Sequence, residues 1–249
     1  MTARMTSGDV LAVIPAFNEA DALPELLNEL NAWAAGQEGS IRCVVVDDGS
    51  TDATAAIARE QGVVVLELPF NLGVGGAVRA GLHYAVEHQA ERVVVLDADG
   101  QHDPADIDAL LAALDDGADM AIGSRFAEGA GGYEMGSTRR RAQRLLNLLV
   151  RRATGFAATD ATSGFRAFDH TVIGYLADRY PVEYLADTVE VIVLVRGAGH
   201  KVVEVPVGMR RRQAGTPSKG SFGLFFNYCR LLVGVAGAAF VGRSRPAHT

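Results

Sequence analysis

The sequence predicts an α/β protein whose mostly parallel central sheet is flanked by helices. Two observations carry this. Short Val/Ile/Leu runs alternate with longer helical periodicities through the first two-thirds of the chain, and polar or glycine-rich clusters stand directly after the apolar runs. Strand then helix, repeated, implies parallel strands joined by right-handed crossovers. At 249 residues, 49% hydrophobic and 21% charged, the chain can bury a full core and is read as one large domain.

The first apolar run covers residues 10–14 and is broken by Pro15; Leu23, Leu26, Leu27 and Leu30 then give helical spacing over 21–35. The second unit is a strand over 41–46 and a helix over 52–61, with Ser50, Thr51 or Asp52 placed to cap it. Residues 63–68 with 75–89 make the third unit, and 93–96 with 103–114 the fourth. In such sheets ligands bind beyond the carboxyl ends of the strands. The clusters Pro15-Ala16-Phe17-Asn18-Glu19, Asp47-Asp48-Gly49-Ser50, Asn71-Leu72-Gly73-Val74-Gly75-Gly76 and Asp97-Ala98-Asp99 would therefore share one rim.

The last cluster is the most informative. Alternate residues of an extended strand share a face, so Asp97 and Asp99 can converge, while Gly100 turns the chain and Gln101 adds a neutral oxygen. Hard cations such as Mg²⁺ or Mn²⁺ take such oxygens and complete their shells with water and phosphate. A lone Asp-x-Asp equally suits a polar turn. Gly73-Val74-Gly75-Gly76 is not a dinucleotide fingerprint, because it follows the third strand and position 78 is Val78.

A net charge of −7 argues against a nucleic-acid binder. Cys43 and Cys229 form neither a metal-ligand spacing nor a disulfide framework, which suits a reducing cytoplasm. The first nine residues lack the apolar core of a signal peptide, and residues 222–241 are too interrupted by Asn227, Arg230 and glycines to read as a membrane span.

In order and spacing, these motifs resemble those of family 2 glycosyltransferases with the GT-A (Rossmann-like) fold, most closely the polyprenyl-phosphate (dolichol-phosphate) hexosyltransferase-like branch. Gly123-Ser124-Arg125, Thr162-Ser163-Gly164-Phe165-Arg166 and Val203-Glu204-Val205-Pro206-Val207 extend the resemblance, and Asp97-Ala98-Asp99-Gly100-Gln101-His102 is similar to the family's metal motif almost letter for letter. The resemblance implies that Ala16, Phe17, Glu19, Asp47 and Asp48 surround the base and ribose of a nucleotide sugar. It adds Pro15, Gly76, Arg79, Asp97, Ala98 and Arg125 to the donor site and puts Asp97, Asp99 and Gln101 on Mg²⁺ or Mn²⁺. Carboxylates suit this, since they accept strongly from a base imino N–H or a ribose hydroxyl. Glu19 and Asp52 equally suit helix starts, and Arg79, on the helix after the glycines, reaches either a phosphate or solvent.

In the second half the strand–helix rhythm breaks. A glycine loop at 129–132 precedes a basic helix from about 137 to 153, carrying Arg139, Arg140, Arg141, Arg144, Arg151 and Arg152. Its field favours an anionic acceptor or membrane headgroups, or else it is a solvated or salt-bridged face. Residues 210–219 resemble the loop that closes over the donor diphosphate, with Arg212, Ser218 and Lys219 at the matching positions and Pro217 as a departure. The resemblance implies inversion by in-line displacement, with the metal, held in part by Asp99, and cations such as Arg212 stabilising the leaving nucleoside diphosphate. A lipid phosphate acceptor needs no base, whereas a hydroxyl does, and Asp187 and Glu190 are the candidates. Asp160, just before the Thr162–Arg166 segment, is a third candidate carboxylate, or else only orients Arg166.

The resulting expectation is a single domain, with a nucleotide-sugar half over about 8–125, an acceptor and diphosphate half over 126–220, and an amphipathic helix and tail over 221–249. That last helix suits a bilayer interface, a membrane partner or the core. The expected reaction moves a hexose from a nucleoside diphosphate sugar to a polyprenyl phosphate or a cell-envelope glycan, in the cytoplasm or on the inner face of its membrane. Two alternatives stay open: a nucleotidyltransferase that forms sugar nucleotides, although Pro15–Glu19 lacks the glycine-rich loop such enzymes need, and a catalytically silent scaffold.

Overall fold

The structure is a computed structural model and describes residues 9–37, 41–130, 137–182 and 187–210. Four strand–helix units come first: β1 (Val10–Ala16) and α1 (Leu23–Ala34), β2 (Ile41–Asp47) and α2 (Thr54–Glu60), β3 (Val64–Glu67) and α3 (Val74–Glu87), then β4 (Arg92–Val95) with a 3₁₀ turn (Pro104–Asp106) leading into α4 (Ile107–Asp115). β5 (Met120–Ser124), α5 (Ser137–Thr154), β6 (Arg166–Asp169), α6 (His170–Ala177), α7 (Asp187–Gly197) and β7 (Val202–Pro206) follow. The seven strands lie in the order β3-β2-β1-β4-β6-β5-β7, all parallel except β6, which runs against both neighbours.

Because the central strands are covered on both faces, they read as continuous apolar runs rather than alternating ones. One layer packs α3, α5, α6 and α7 over Val13, Val44, Val95, Ile122 and Phe168. The other packs α1, α2 and α4 over Ile14, Val45, Leu96, Ala121 and Phe165. On α1 the four leucines of the helical spacing are all buried.

Two expectations need correction. Pro15 does not break the first strand, since β1 continues to Ala16 with Pro15 opposite Val46. Residues 13 and 15 face β4, where the ladder ends at Val13↔Val95 with one more bond from the Leu96 N–H to the Val13 carbonyl at 3.3 Å. The donor that proline lacks is not required beyond that point. Likewise Asp97 and Asp99 do not sit on an extended strand. β4 stops at Val95 and both carboxylates belong to the turn that follows.

The reversal of β6 fixes where the second half meets the first. Arg166, its first residue, pairs with Val95 at the end of β4 and with Ile122 near the end of β5. The segment that leads into β6 therefore reaches the same rim as the segments that leave the parallel strands.

Candidate active site

Three loops, those after β1, β2 and β3, are welded together. Asn18, in the left-handed region at φ 56°, accepts from the Thr51 N–H at 2.8 Å while its own N–H donates to Ser50 Oγ at 2.9 Å. The Glu19 N–H donates to Thr54 Oγ1 at 2.9 Å and the Ala20 N–H to Asp52 Oδ2 at 3.2 Å. Asp52 also accepts from the Thr54 N–H at 2.9 Å, so of the three capping candidates it is the one that serves the start of α2. The third loop is held by Asp48, whose two oxygens accept from the Leu72 and Gly73 N–H groups at 2.7 and 2.8 Å. Burial pushes the Asp48 carboxyl above its usual range, against the pull of these two bonds. Asp48 thus shapes the rim through its backbone partners. Asp47 is buried beside it and accepts from the Ser50 N–H at 3.3 Å, and Phe17 projects from the rim, 43% exposed.

Glycines set the spacing behind this rim. A Cβ on Gly75 would lie 2.2 Å from the Pro181 carbonyl oxygen, and one on Gly76 would lie 2.4 Å from Leu72 Cβ. α3 therefore approaches the segment after α6 closer than any other residue allows. Arg79 of α3 is turned to the same neighbour, with Nε and Nη2 donating to the Ala177 and Asp178 carbonyls at 3.2 and 2.8 Å. It caps the end of α6, and a role on a donor phosphate is not what its contacts describe.

The Asp97–Gln101 turn closes on itself. Gly100 adopts φ 71°, and Asp99 Oδ1 accepts from the Gln101 N–H at 3.1 Å. The Asp97 N–H donates to His102 Nδ1 at 3.3 Å, and the imidazole stacks on Phe165 with centroids 4.8 Å apart. Burial lowers the His102 pKa to about 4, with Asp99 opposing, so the ring is neutral at pH 7 and keeps Nδ1 as an acceptor. Gly164 leaves room for the Asp97 carboxylate, since a Cβ there would stand 3.2 Å from Oδ2. Among the described residues no three His, Cys, Asp or Glu side chains converge as a metal cage. Two carboxylates and an amide in one turn still fit a hard cation that completes its shell with phosphate and water, the usual habit of Mg²⁺.

In the second half of the chain a buried guanidinium joins the pieces. Arg166 is 1% exposed, and it donates from Nε to the Ser163 carbonyl at 2.8 Å and from Nη2 to the Thr188 carbonyl at 2.7 Å. It thereby links the Thr162–Arg166 segment to the first turn of α7. Asp187 opens that turn. Burial pushes its carboxyl up to about 6, against the opposing charge of Arg166. Glu190, one turn on, is exposed.

Asp160 does not orient Arg166. Its carboxylate, wholly buried, makes a two-pronged pair with Arg125 at 2.6 and 2.8 Å. Gln143 of α5 and Thr162 add bonds at 3.2 and 3.1 Å. The backbone of Asp160 is fixed in turn by Glu204, which accepts from the Thr159 and Asp160 N–H groups at 2.7 and 2.8 Å. Glu204 and His102 stood inside recognised motifs without a role; their signal was an ionisable group set among apolar or motif residues.

Arg212, Ser218 and Lys219 lie outside the described residues, as does the amphipathic segment 221–249. The approach to them is described. The Arg210 N–H donates to the Gln101 carbonyl at 2.9 Å, and its guanidinium grips Glu29 at 2.6 Å and Asp103 at 2.7 Å. The chain that leads to Arg212 thus leaves from beside the Asp97–Gln101 turn.

The Glycosyl transferase family 2 profile matches residues 11–176. The chain is 32% identical to the polyprenol monophosphomannose synthase of Mycolicibacterium smegmatis over 213 residues, 82% of this chain and 78% of that protein. It is 33% identical to the undecaprenyl-phosphate mannosyltransferase of Micrococcus luteus over 222 residues, 86% of this chain and 88% of that protein. Its fold is similar to that of glucosyl-3-phosphoglycerate synthase from Mycobacterium tuberculosis in complex with Mg²⁺ and UDP, with a TM-score of 0.70 at 18% identity, over 93% of this chain and 79% of that one. The seven-stranded, mostly parallel sheet flanked by helices is the GT-A arrangement of that neighbour. With two-thirds of its length matched by the profile and its motifs gathered on one rim, the chain belongs to glycosyltransferase family 2 and is a glycosyltransferase.

Proposed function

We propose that the protein is a metal-dependent, inverting hexosyltransferase that moves a hexose from a nucleoside diphosphate sugar to a polyprenyl phosphate at a membrane surface. The observation that carries the reading is the Arg210–Gln101 backbone bond, which starts the basic segment of Arg212, Ser218 and Lys219 at the Asp97–Gln101 turn. A diphosphate bridging the two would be neutralised by a cation held on the turn and by the basic segment. Relatives named for polyprenyl and undecaprenyl phosphates supply the acceptor class.

In this reading Pro15, Ala16, Phe17, Glu19 and Asp47 receive the nucleoside on a rim that Asp48 and Gly76 keep in shape, and Ala98 and Arg125 complete the nucleotide-sugar site. Asp97, Asp99 and Gln101 would hold Mg²⁺ or Mn²⁺, which when bound would supply Lewis-acid stabilisation of the departing diphosphate. An oxygen of the acceptor phosphate attacks the anomeric carbon from the opposite face. The new carbon–oxygen bond forms as the bond to the β-phosphate oxygen breaks, and the electron pair leaves with the nucleoside diphosphate. The attacking phosphate is already anionic, so no proton has to move.

One observation favours a second reading. A carboxyl raised to about 6, as at Asp187, is poised to accept a proton near neutral pH, which a hydroxyl acceptor on a glycan would need. Release of nucleoside diphosphate from UDP-, GDP- and dTDP-sugars, measured with Mn²⁺ or Mg²⁺ and with or without polyprenyl phosphate, separates the two. Release that requires the lipid supports the first reading; binding without lipid-stimulated release supports the second, with Asp187 or Glu190 as base. Asp99→Asn should abolish turnover with little loss of stability, and near-wild-type rates in that variant would remove the metal from the mechanism.

A further inference from the structure

α5 has two unlike sides. Its inner side carries buried Gln143, Leu146 and Val150, and Asn147 donates to the Thr159 carbonyl at 2.7 Å. The outer side exposes Arg141, Arg144, Arg151 and Arg152 around two leucines, Leu145 at 48% and Leu148 at 52% exposure. These positions recur at three and four residues, so they form one stripe along the helix. Residues 137–154 contain no Asp or Glu, and among the described residues no carboxylate pairs with these four arginines. Solvation alone explains the arginines but not two adjacent exposed leucines, and a salt-bridged face is not what the described contacts show.

We infer that the outer face of α5 docks on an anionic lipid bilayer, with Leu145 and Leu148 entering the headgroup boundary and the arginines meeting lipid phosphates. The inference rests on the lipid-acceptor reading above and adds the surface that meets the membrane. Charge complementarity selects this occupant. A protein of net charge −7 is repelled by an anionic bilayer unless its basic charge is gathered on one face, and here it is. A stripe of arginines flanking apolar side chains is the pattern of helices that lie in the interface plane. The position suits the acceptor as well. Gln143, on the inner side, donates to Asp160 Oδ1 at 3.2 Å, and Asp160 holds Arg125 on the rim. A bilayer against α5 would lie about 10–12 Å from the rim, one helix diameter.

The test is co-sedimentation of the full chain with vesicles of phosphatidylcholine alone or with 30% phosphatidylglycerol. Binding should need the anionic lipid and fall with added salt. At roughly fivefold per basic residue near the surface, Arg144→Gln with Arg151→Gln should weaken binding about 25-fold. Leu145→Ser with Leu148→Ser should also weaken it, which simple electrostatic adsorption would not produce. All variants should keep wild-type melting temperatures and wild-type turnover with a short, water-soluble prenyl phosphate, losing turnover only when the acceptor is in vesicles. Absence of wild-type binding, or equal binding by both double variants, overturns the inference and, in the second case, assigns the membrane contact to residues beyond α5. Vesicle binding that depends on α5, without turnover on any prenyl phosphate, would leave the surface standing and overturn the acceptor reading instead.

Discussion

Replacing Arg125 by Leu leaves the Asp160 carboxylate buried without its cation. The two partners are unequally placed: the Asp160 side chain is 0% exposed, whereas that of Arg125 is 16% exposed. A stranded arginine can swing toward water, but a stranded Asp160 cannot. It keeps bonds from Gln143, Thr162 and the backbone N–H of residue 125 at 3.2, 3.1 and 3.3 Å, yet all three donors are neutral. Removing one member of a buried pair costs about 3–5 kcal/mol, and the upper part of that range applies where the remaining ion has no route to solvent. Asp160→Asn alone should cost less, about 1–3 kcal/mol, because the amide keeps an acceptor for Gln143 and Arg125 can relax outward. The decisive comparison is the double substitution. Neutralising the stranded group should recover stability, so Arg125→Leu with Asp160→Asn should be more stable than Arg125→Leu alone. Urea unfolding followed by far-UV circular dichroism gives all three values. A double variant as unstable as the single one, or Asp160→Asn costing more than Arg125→Leu, would refute the argument from unequal burial.

The raised Asp187 carboxyl makes stability depend on pH in a stated direction. Its folded value of about 6 lies above that of the unfolded chain, so its contribution is fully present at low pH and is lost as pH rises through about 6. Asp187→Asn should exceed wild type by about 1–3 kcal/mol at pH 7.5 and lose that advantage at pH 4; a pH-independent difference in denaturation would contradict it. Gly164→Ala would set a methyl 3.2 Å from Asp97 Oδ2; with Asp97 in the proposed metal site, Mn²⁺ affinity followed by electron paramagnetic resonance should fall about 10-fold, the cost typical of disturbing a ligand's surroundings. Unchanged affinity would detach Gly164 from that proposed site. Gly75→Ala should cost about 1–3 kcal/mol, because its methyl would meet the Pro181 carbonyl at 2.2 Å and α3 must shift; a neutral effect on thermal unfolding would show that the segment after α6 yields freely.

Much of the first half of the fold could be read from sequence because its information is local. Apolar runs and leucine spacing mark each strand and helix, and the clusters after them fall on the rim by the logic of parallel sheets. What escaped is tertiary. Pro15 reads as a breaker until one sees that β4 has ended beside it. Four-residue β6 gives no periodic signal, and its reversed direction cannot be inferred from Arg-Ala-Phe-Asp. Partners were the hardest to assign: Asp160 stands six residues before Arg166 in sequence, yet it takes Arg125 across the loop, and Arg79 spends its guanidinium on the end of α6.

The reversal of β6 has a consequence for how such a protein diversifies. β5 and β6 are antiparallel neighbours, so the excursion between them leaves from and returns to adjacent points on the rim. A segment whose two ends are already fixed side by side can lengthen, shorten or change its helix at a small cost in closure entropy, without altering the register of any strand. That excursion carries α5 and the Asp160 loop, while the welded loops behind β1, β2 and β3 lie wholly outside it. That stretch can thus be rewritten, for another acceptor or another surface in the proposed reading, while the loops behind β1, β2 and β3 keep the hydrogen bonds that join them.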